Sequence, residues 1–264
     1  MSRMPIALTV AGTDPTGGAG VLADIKTFHS RQVFGMAAIT ALTAQNTIGV
    51  QDVHNIPGQF LQEQLDSIFS DEVPDAMKSG MIANEEMMTV IKECVEHHQV
   101  PYIIDPVMIA TSGDPLIDED AAEFLRTQLL PLALTVTPNI HEAEKISGQQ
   151  ISSEGDIKKA ADIFLNDIGV QSVVITGGHL DSGPTDYLFT ADNAIELSET
   201  RIDTTNTHGT GCTFSAVMTA ELAKGKSIEE SFRTAKRYIT SAIRYNPNIG
   251  KGNGPVSHFS YKGE

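Results

Sequence analysis

The sequence predicts an α/β fold with a mainly parallel central sheet and helices on both of its faces. Short apolar runs, typical of buried strands, alternate with longer segments whose apolar residues recur at helical spacing. This alternation continues over most of the 264 residues and indicates βαβ units. No linker rich in proline, glycine or serine and no internal repeat interrupts it, so we expect one domain over residues 1–264.

The first half of the chain is predicted to contain four strands and four helices. The first strand is an apolar run that stops at Gly12, and the third is weaker because Lys78 and Gly80 interrupt it. A proline-glycine pair at 57–58 opens the second helix. The predicted strands are 6–11, 37–44, 75–81 and 102–104, and the predicted helices are 21–28, 57–68, 85–98 and 118–130.

The second half continues the alternation and then changes character. Pro138 ends one strand, a glycine pair ends the next, and Lys224 with Gly225 stops the seventh helix. The predicted strands are 134–137 and 173–176, followed by short antiparallel strands within 186–203. The predicted helices are 140–147, 157–168, 213–224 and 228–245.

Charge and composition disfavour several classes of partner. The chain has 18 basic and 34 acidic residues and a net charge of −16, so we expect no binding to nucleic acid or to an anionic membrane surface. No apolar run reaches the length of about 18 residues that a membrane span needs. Two cysteines make no disulfide framework and the N-terminus lacks a signal-peptide pattern, so we expect a cytoplasmic protein.

A polar, glycine-punctuated stretch at 203–214 leads directly into the seventh predicted helix. A turn that opens a helix points several backbone N–H groups at one spot, with the positive end of the helix dipole behind them. This arrangement binds anions. Cys212 falls in the first turn of that helix, where a thiolate is stabilised. The alternative is a glycine-rich connector that contains a buried cysteine.

The earlier glycine loop, at 12–20, imitates two nucleotide-binding signals. Residues 18–23 satisfy the dinucleotide pattern G-x-G-x-x-A. That interpretation requires an acidic residue at the end of the next strand, where Gln45 stands instead. The loop also lacks the Gly-Lys-Ser/Thr of a Walker A loop, so both interpretations are disfavoured.

Several polar residues directly follow the predicted strands. Ligands of open α/β sheets bind at the carboxyl ends of the strands, so these residues are candidates for one binding site. Asp105 could organise Mg²⁺ or could cap a turn. Asn139 and Glu142 share a helix face and could hold a hydrated Mg²⁺, or could form an N-cap with a first-turn glutamate. Lys78, in an apolar strand, could reach a phosphate. Together with the anion-binding turn, these groups favour phosphoryl transfer.

The order of these motifs resembles the ribokinase superfamily and, within it, the hydroxymethylpyrimidine/phosphomethylpyrimidine kinases of thiamine synthesis. The resemblance extends over nearly the whole chain. The segments that carry it are 11–20 with 23–24, 40–47, 78–81, 105–108, 137–139 with 142–143, and 208–212. It implies a ribokinase-like three-layer α/β/α fold, Mg²⁺ and ATP, a small aminopyrimidine substrate and a homodimer.

The resemblance also implies a role for each matching position. The amide of Gln45 would hydrogen-bond the aminopyrimidine, because it offers both a donor and an acceptor. The substrate residues would be Gly12, Asp24, Gln45, Met81 and Val107. The catalytic anion hole would comprise Gly209, Gly211 and Cys212. The ATP residues would be Lys78, Asn139, Thr176, Gly177, Gly178 and Thr210, and the metal residues Asp105 and Glu142.

Two alternatives remain at this point. Most members of the superfamily have an aspartate base at the position of Cys212, whereas the pyrimidine kinases and their pyridoxal-kinase relatives have cysteine. Pyridoxal kinase is therefore the second candidate, although the lid at 109–115 lacks the second cysteine that strong pyridoxal kinases often carry. A non-catalytic vitamer-binding regulator is disfavoured because a pure binder would not need a phosphoryl-transfer site.

Overall fold

The computed structural model describes residues 3–108, 117, 119–177 and 183–261. Its first half contains β1 Ile6–Ala11, α1 Gly20–Ser30, β2 Phe34–Ile39, β3 Ala41–Asn46, β4 Gly49–Asn55, α2 Gly58–Asp71, β5 Ala76–Ser79, α3 Glu85–His98, β6 Tyr102–Ile104 and α4 Glu119–Phe124. Its second half contains β7 Thr135–Val136, α5 Ile140–Ser147, α6 Glu154–Asp162, β8 Ser172–Gly177, β9 Thr185–Thr190, β10 Ala194–Ser198, α7 Thr210–Ala223 and α8 Ile228–Arg244.

The central sheet has eight strands in the order β10-β9-β8-β7-β6-β5-β1-β2. The six strands from β8 to β2 are parallel, and β9 and β10 are antiparallel to their neighbours. Both the mainly parallel sheet and the antiparallel strands after residue 186 are therefore confirmed. The carboxyl ends of the parallel strands share one edge of the sheet, which is where the predicted site residues follow them.

Alternate side chains of the strands pack into two helical layers, as the strand period requires. Tyr102 and Ile104 of β6 belong to a core that includes residues of α2, α3 and α5, whereas Ile103 belongs to a core with α7 and α8. The residues of β8 divide in the same way. This confirms the predicted three-layer α/β/α arrangement.

The residues of the predicted strand 37–44 are extended as expected, but they belong to two strands, because the chain leaves the eight-stranded sheet at Thr40. β2 ends at Ile39, and β3 pairs with β4 in a separate two-stranded antiparallel sheet. Thr40 donates its N–H to Ala11 O at 3.1 Å and accepts from Ile56 N at 2.9 Å, which fixes the branch point. The apolar run is continuous across this point, and β4 is largely exposed and polar, so neither feature is visible as a pattern.

Other predicted boundaries differ at polar or irregular ends. α6 begins three residues earlier than predicted, because Ser153 caps a polar first turn whose residues do not contribute to the apolar period. The predicted helix 118–130 changes after Phe124 to a π-helical segment, Leu125–Leu129, and then to a short 3₁₀ turn. Asp118 lies outside the described residues. None of the helices in the described part of the chain combines the length and apolar character that a membrane span requires.

Candidate active site

The carboxyl ends of the parallel strands open into a cavity of about 400 Å³, termed here the first cavity. The segments after β1, β5, β6 and β7 and the N-terminus of α7 form its walls, as expected for the ligand site of an open α/β sheet. Of the residues predicted for the site, it is lined by Gly12, Asp24, Gln45, Lys78, Met81, Asp105, Val107, Asn139, Glu142, Thr176, Gly209, Thr210, Gly211 and Cys212.

The predicted anion-binding turn forms as expected at the start of α7. Gly209 adopts φ +77° at the N-cap, and a Cβ atom there would overlap the carbonyl oxygen of Gly18. The next N–H groups begin a helix and lack an intrahelical partner. Because Gly211 and Cys212 line the first cavity, the positive end of α7 faces it.

The first glycine loop, 12–20, is organised around the carboxylate of Asp14. This carboxylate accepts from Thr16 N at 2.9 Å, from Thr16 Oγ1 at 2.7 Å and from Ala19 N at 2.9 Å. It also lies 2.7 Å from His208 Nε2. Burial alone would raise the pKa of Asp14, but the hydrogen bonds from His208 and Thr16 outweigh it and lower that pKa. The loop therefore holds a buried, ionised carboxylate.

The expectation of a stabilised thiolate at Cys212 is wrong. Burial in the cavity wall raises the pKa of the Cys212 thiol, and the charge of Asp105 raises it further. The charge of Asp24 adds to this effect, whereas Lys78 and the backbone N–H of Gly20 oppose it. The side chain is therefore a neutral thiol in the wall of the first cavity.

A fully buried cation lies beneath the first cavity. Lys78 Nζ donates to Asp24 Oδ1 at 2.9 Å and lies 3.9 Å from Asp105 Oδ2. The second oxygen of Asp24 accepts from Thr9 Oγ1 at 2.6 Å. Both Asp24 oxygens are thus engaged, but Asp24 also lines the first cavity, and its contact with a substrate stays a prediction. Lys78 is buried and lines the same cavity, and its contact with ATP also stays a prediction.

Asn139 and Glu142 form the capping box of α5. Glu142 N donates to Asn139 Oδ1 at 3.0 Å, and Asn139 N donates to Glu142 Oε2 at 2.9 Å. The alternative role that the sequence allows for this pair, an N-cap with a first-turn glutamate, is therefore fully formed. Burial, together with the charge of Asp105, raises the pKa of Glu142 to about 8.

The carboxylates of Asp105 and Glu142 fit the Mg²⁺ ion that the resemblance implies. Burial raises the pKa of Asp105, and Asp24 adds to this effect while Lys78 opposes it. A divalent cation would relieve the repulsion between Asp105 and Glu142. Within the described ranges no group of three His, Cys, Asp or Glu side chains could hold a metal. Mg²⁺ commonly binds one or two carboxylates, with water and phosphate completing its octahedron.

A second cavity of about 290 Å³ adjoins the first and shares part of its wall. Asn139, Thr176, Thr207, Thr210 and Gly211 line both cavities. The far wall of the second cavity is more apolar and includes Phe214, Ile239 and Ile243. A ligand that placed a planar apolar group against this wall would direct an attached charged group toward the N-terminus of α7.

A buried ion pair closes the second cavity on the side of α8. Lys236 Nζ donates to Asp186 Oδ2 at 2.9 Å and to Pro184 O at 2.6 Å. The other oxygen of Asp186 accepts from Gly177 N at 3.1 Å. Gly177, predicted to contact ATP, is absent from the described lining of both cavities and ends β8 instead. Gly178 and the lid at 109–115 lie outside the described residues.

Two side-chain pairs of the site were missed by the sequence interpretation. Asp14 and His208 are 194 residues apart, and Asp186 and Lys236 are 50 apart, so no local spacing connects them. A histidine directly before the Gly-Thr-Gly turn was a visible signal, because it borders a glycine-rich binding loop. The second pair gave no such signal, since Lys236 lies within an ordinary amphipathic helix.

Comparisons with known proteins give one consistent result. The family model described as phosphomethylpyrimidine kinase matches residues 14–257. A hydroxymethylpyrimidine/phosphomethylpyrimidine kinase of Staphylococcus aureus is 52% identical, with 99% of this chain and 96% of the relative covered. The crystal structure of an ADP complex of Bacillus subtilis pyridoxal kinase has a TM-score of 0.90 at 38% identity and covers 98% of both chains. That of phosphomethylpyrimidine kinase from Clostridium difficile 630 has a TM-score of 0.81 at 38% identity and covers 91% of this chain and 100% of its own.

Proposed function

The chain belongs to the phosphomethylpyrimidine kinase family, and on that premise we propose a role for each part of its site. It is a kinase of thiamine biosynthesis that phosphorylates 4-amino-5-hydroxymethyl-2-methylpyrimidine, and then its monophosphate, at the expense of ATP. One observation supports the assignment of roles. The first cavity holds Gln45 and the N-terminus of α7 together with two buried carboxylates, and it shares a wall with a second, more apolar cavity.

The pyrimidine occupies the outer part of the first cavity in this proposal. Gln45 lies on β3 in the cavity wall, and its amide can pair with a ring nitrogen and the exocyclic amine. Met81 and Val107 supply apolar surface for the ring. Gly12 leaves space beside the ring, since a Cβ atom there would lie 3.3 Å from Met81 Sδ.

ATP occupies the second cavity, with its base against the apolar wall and its phosphates at Thr210 and Gly211. Asn139 and Thr176 line the junction of the two cavities, where a triphosphate would cross. In the transfer, the hydroxymethyl or phosphate oxygen of the substrate bonds to the γ-phosphorus, and the bond from the γ-phosphorus to the β–γ bridging oxygen breaks to release ADP. In the first transfer, the hydroxyl proton passes to an oxygen of the transferred phosphoryl group. The N-terminus of α7 stabilises negative charge on the group in transit.

The metal side of the transfer is assigned to Asp105 and Glu142. Bound there, Mg²⁺ would neutralise charge on the nucleotide phosphates. The capping box holds Glu142 in position, and Ser215 Oγ donates to Asp105 Oδ2 at 3.2 Å. Lys78 lines the first cavity and offsets part of the negative charge of Asp24 and Asp105.

Cys212 acts in this proposal as a neutral neighbour of the transferred phosphate. A monophosphate oxygen is already ionised and needs no base, and a fixed carboxylate at this position would repel it. The raised pKa of the thiol is consistent with that role, because a thiolate would carry the same unfavourable charge.

We also propose that residues 1–264 form one kinase domain that acts as a cytoplasmic homodimer. The sheet of β3 and β4 exposes Leu42 and Ile48, at 49% and 67%, beside the first cavity. A second copy of the chain could cover this apolar surface. Light scattering during size-exclusion chromatography tests the oligomeric state, and a single monomeric species at micromolar concentration would contradict it.

The central experiment is a side-by-side assay of ADP release with Mg-ATP. The acceptors are the pyrimidine alcohol, its monophosphate and pyridoxal, the last because several structural neighbours are pyridoxal kinases. We expect turnover of both pyrimidines at higher kcat/KM than pyridoxal. A higher kcat/KM for pyridoxal would make pyridoxal the substrate in place of the pyrimidine. Substrate binding without ADP release would favour a non-catalytic regulator.

A further inference from the structure

α1 and α7 lie side by side, and a buried side-chain contact to a carboxylate connects the two segments at each end. At the end beside the first cavity, Asp14 Oδ2 lies 2.7 Å from His208 Nε2, with side-chain exposures of 3% and 6%. At the opposite end, Arg31 Nε lies 2.7 Å from Glu221 Oε1, with exposures of 6% and 5%. The two pairs have the same distance between their polar atoms and similar burial, but only Asp14 and His208 line the first cavity.

The Asp14 side of the first pair is held by its own loop. Asp14 accepts three hydrogen bonds from Thr16 and Ala19, so its carboxylate is fixed relative to the start of α1 without His208. The contact with His208 therefore adds a connection between two loops. It is not needed to shape the first loop.

The His208 side is held by the C-terminal segment. His208 N donates to Gly254 O at 3.0 Å, and Val256 N donates to His208 O at 3.3 Å. The next residue, Gly209, is the N-cap of α7 and contacts the first loop so closely that a side chain would overlap Gly18 O. His208 thus joins the first glycine loop, the C-terminal segment and the start of α7 directly beside the anion-binding N–H groups.

We propose that the Asp14–His208 pair is a positioning device that fixes the N-terminus of α7 relative to the first glycine loop during phosphoryl transfer. The inference rests on the proposed function, because it assigns the transferred group to that N-terminus. The close approach of Gly209 to the carbonyl oxygen of Gly18 joins the same two loops and gives the pair a defined register to maintain. His208 and Asp14 are positioning residues, since they act through Gly209, Gly211 and Cys212.

The test uses two substitutions of similar polarity at His208. In His208→Gln, the side-chain amide nitrogen reaches the position of Nε2 and can still donate to Asp14, whereas in His208→Asn it is too short. We expect His208→Asn to lower kcat for both phosphorylations by about 10- to 100-fold, because small misplacement of reacting groups costs rate on this scale. KM values should stay within about 3-fold, and His208→Gln should restore kcat to within about 3-fold of wild type.

Glu221→Gln is the matched control, because it removes the charge from the pair at the opposite end of the same helices. It should lower the melting temperature about as much as His208→Asn and leave kcat unchanged. Equal kcat in the Asn and wild-type enzymes, a failure of Gln to restore the rate, or an equal loss of kcat in Glu221→Gln would each overturn the proposal. Turnover of pyridoxal alone by the wild type would instead reject the proposed substrate, and the same comparison of kcat would then be made with pyridoxal.

Discussion

The two cavities hold charge in different ways. The first contains buried carboxylates, a fully buried lysine beneath them and the N-terminus of a helix. The second contains an apolar wall, the Asp186–Lys236 ion pair, which is closed on itself, and the side chains of Glu199 and Arg201. Fixed charges and dipoles stabilise charge that develops in a transition state, whereas an apolar wall with few polar groups binds a ligand. The difference predicts that substitutions in the first cavity change kcat and those in the second change KM for ATP.

The largest effect is expected for Glu142→Gln in the first cavity. The substitution keeps the shape of the capping box but removes a charge assigned to Mg²⁺, and we expect kcat to fall by about 100-fold or more. Glu144→Gln is the control on the same helix, because Glu144 accepts from Ile151 N and is absent from the described lining of either cavity. A Glu142→Gln enzyme with wild-type kcat and Mg²⁺ dependence would remove Glu142 from the metal site.

The pH dependence of Mg²⁺ binding tests the same residue independently. Burial and the charge of Asp105 raise the pKa of Glu142 to about 8, so the metal-free carboxyl is partly protonated at neutral pH. Mg²⁺ must displace that proton, and its apparent affinity should rise as the pH increases from about 6 to about 8. Titration calorimetry in Glu142→Gln should show a flatter dependence over this range.

In the second cavity, Lys236→Met is expected to act on nucleotide binding. Loss of the ammonium group frees Asp186 and Pro184 O, and Asp186 in turn holds Gly177 at the end of β8. We expect KM for ATP to rise by about 10- to 30-fold, with KM for the pyrimidine and kcat nearly unchanged. Arg233→Met is the control, because Arg233 is exposed on the same helix and pairs with Glu229. A selective fall in kcat would contradict the division between the cavities.

Gln45→Ala sharpens the comparison within the first cavity, where it separates recognition from transfer. The lost hydrogen bonds to the ring should cost about 1 to 1.5 kcal/mol, which raises KM for the pyrimidine by about 10-fold and leaves kcat within a few-fold. Gln51→Ala, on the paired strand β4, is the control because its side chain is exposed and bonds to Gly49 O. An unchanged KM in Gln45→Ala would exclude Gln45 from the substrate site.

The fold was most predictable where signals are local. The predicted bounds of β1, β6, α3 and α5 agree with the structure, because apolar periods and end signals such as the Asn84 cap and the left-handed Gly148 lie within the elements themselves. The branch at Thr40 was not predictable, since one apolar run serves two sheets. The family resemblance supplied most of the site residues, and their order along the chain matched the strand ends.

The parts of the site that sequence could not supply are long-range pairs of polar and charged side chains. Lys78 appeared to be an awkward residue in an apolar strand that could reach a phosphate. The structure pairs it with Asp24, 54 residues earlier, so each charge offsets the other where both residues line the first cavity. Asp14–His208 and Asp186–Lys236 are of the same kind. Such pairs form because particular loops meet at the edge of the sheet, and the spacing of residues within one element does not indicate which loops meet.

The smallest effect is expected for Cys212→Ser. If the charge in the first cavity comes from the carboxylates and the start of α7, a neutral thiol can be replaced by a hydroxyl with a loss in kcat below about 5-fold. Because burial raises the pKa of the Cys212 thiol, no thiolate forms near neutral pH, and the kcat profiles of the two enzymes should be parallel from about pH 6.5 to about 8.5. A base at Cys212 would instead make the wild-type rate rise with pH toward the thiol pKa, and Cys212→Ser would abolish that rise and both phosphorylations. That outcome would move Cys212 from the wall of the first cavity into the chemical step.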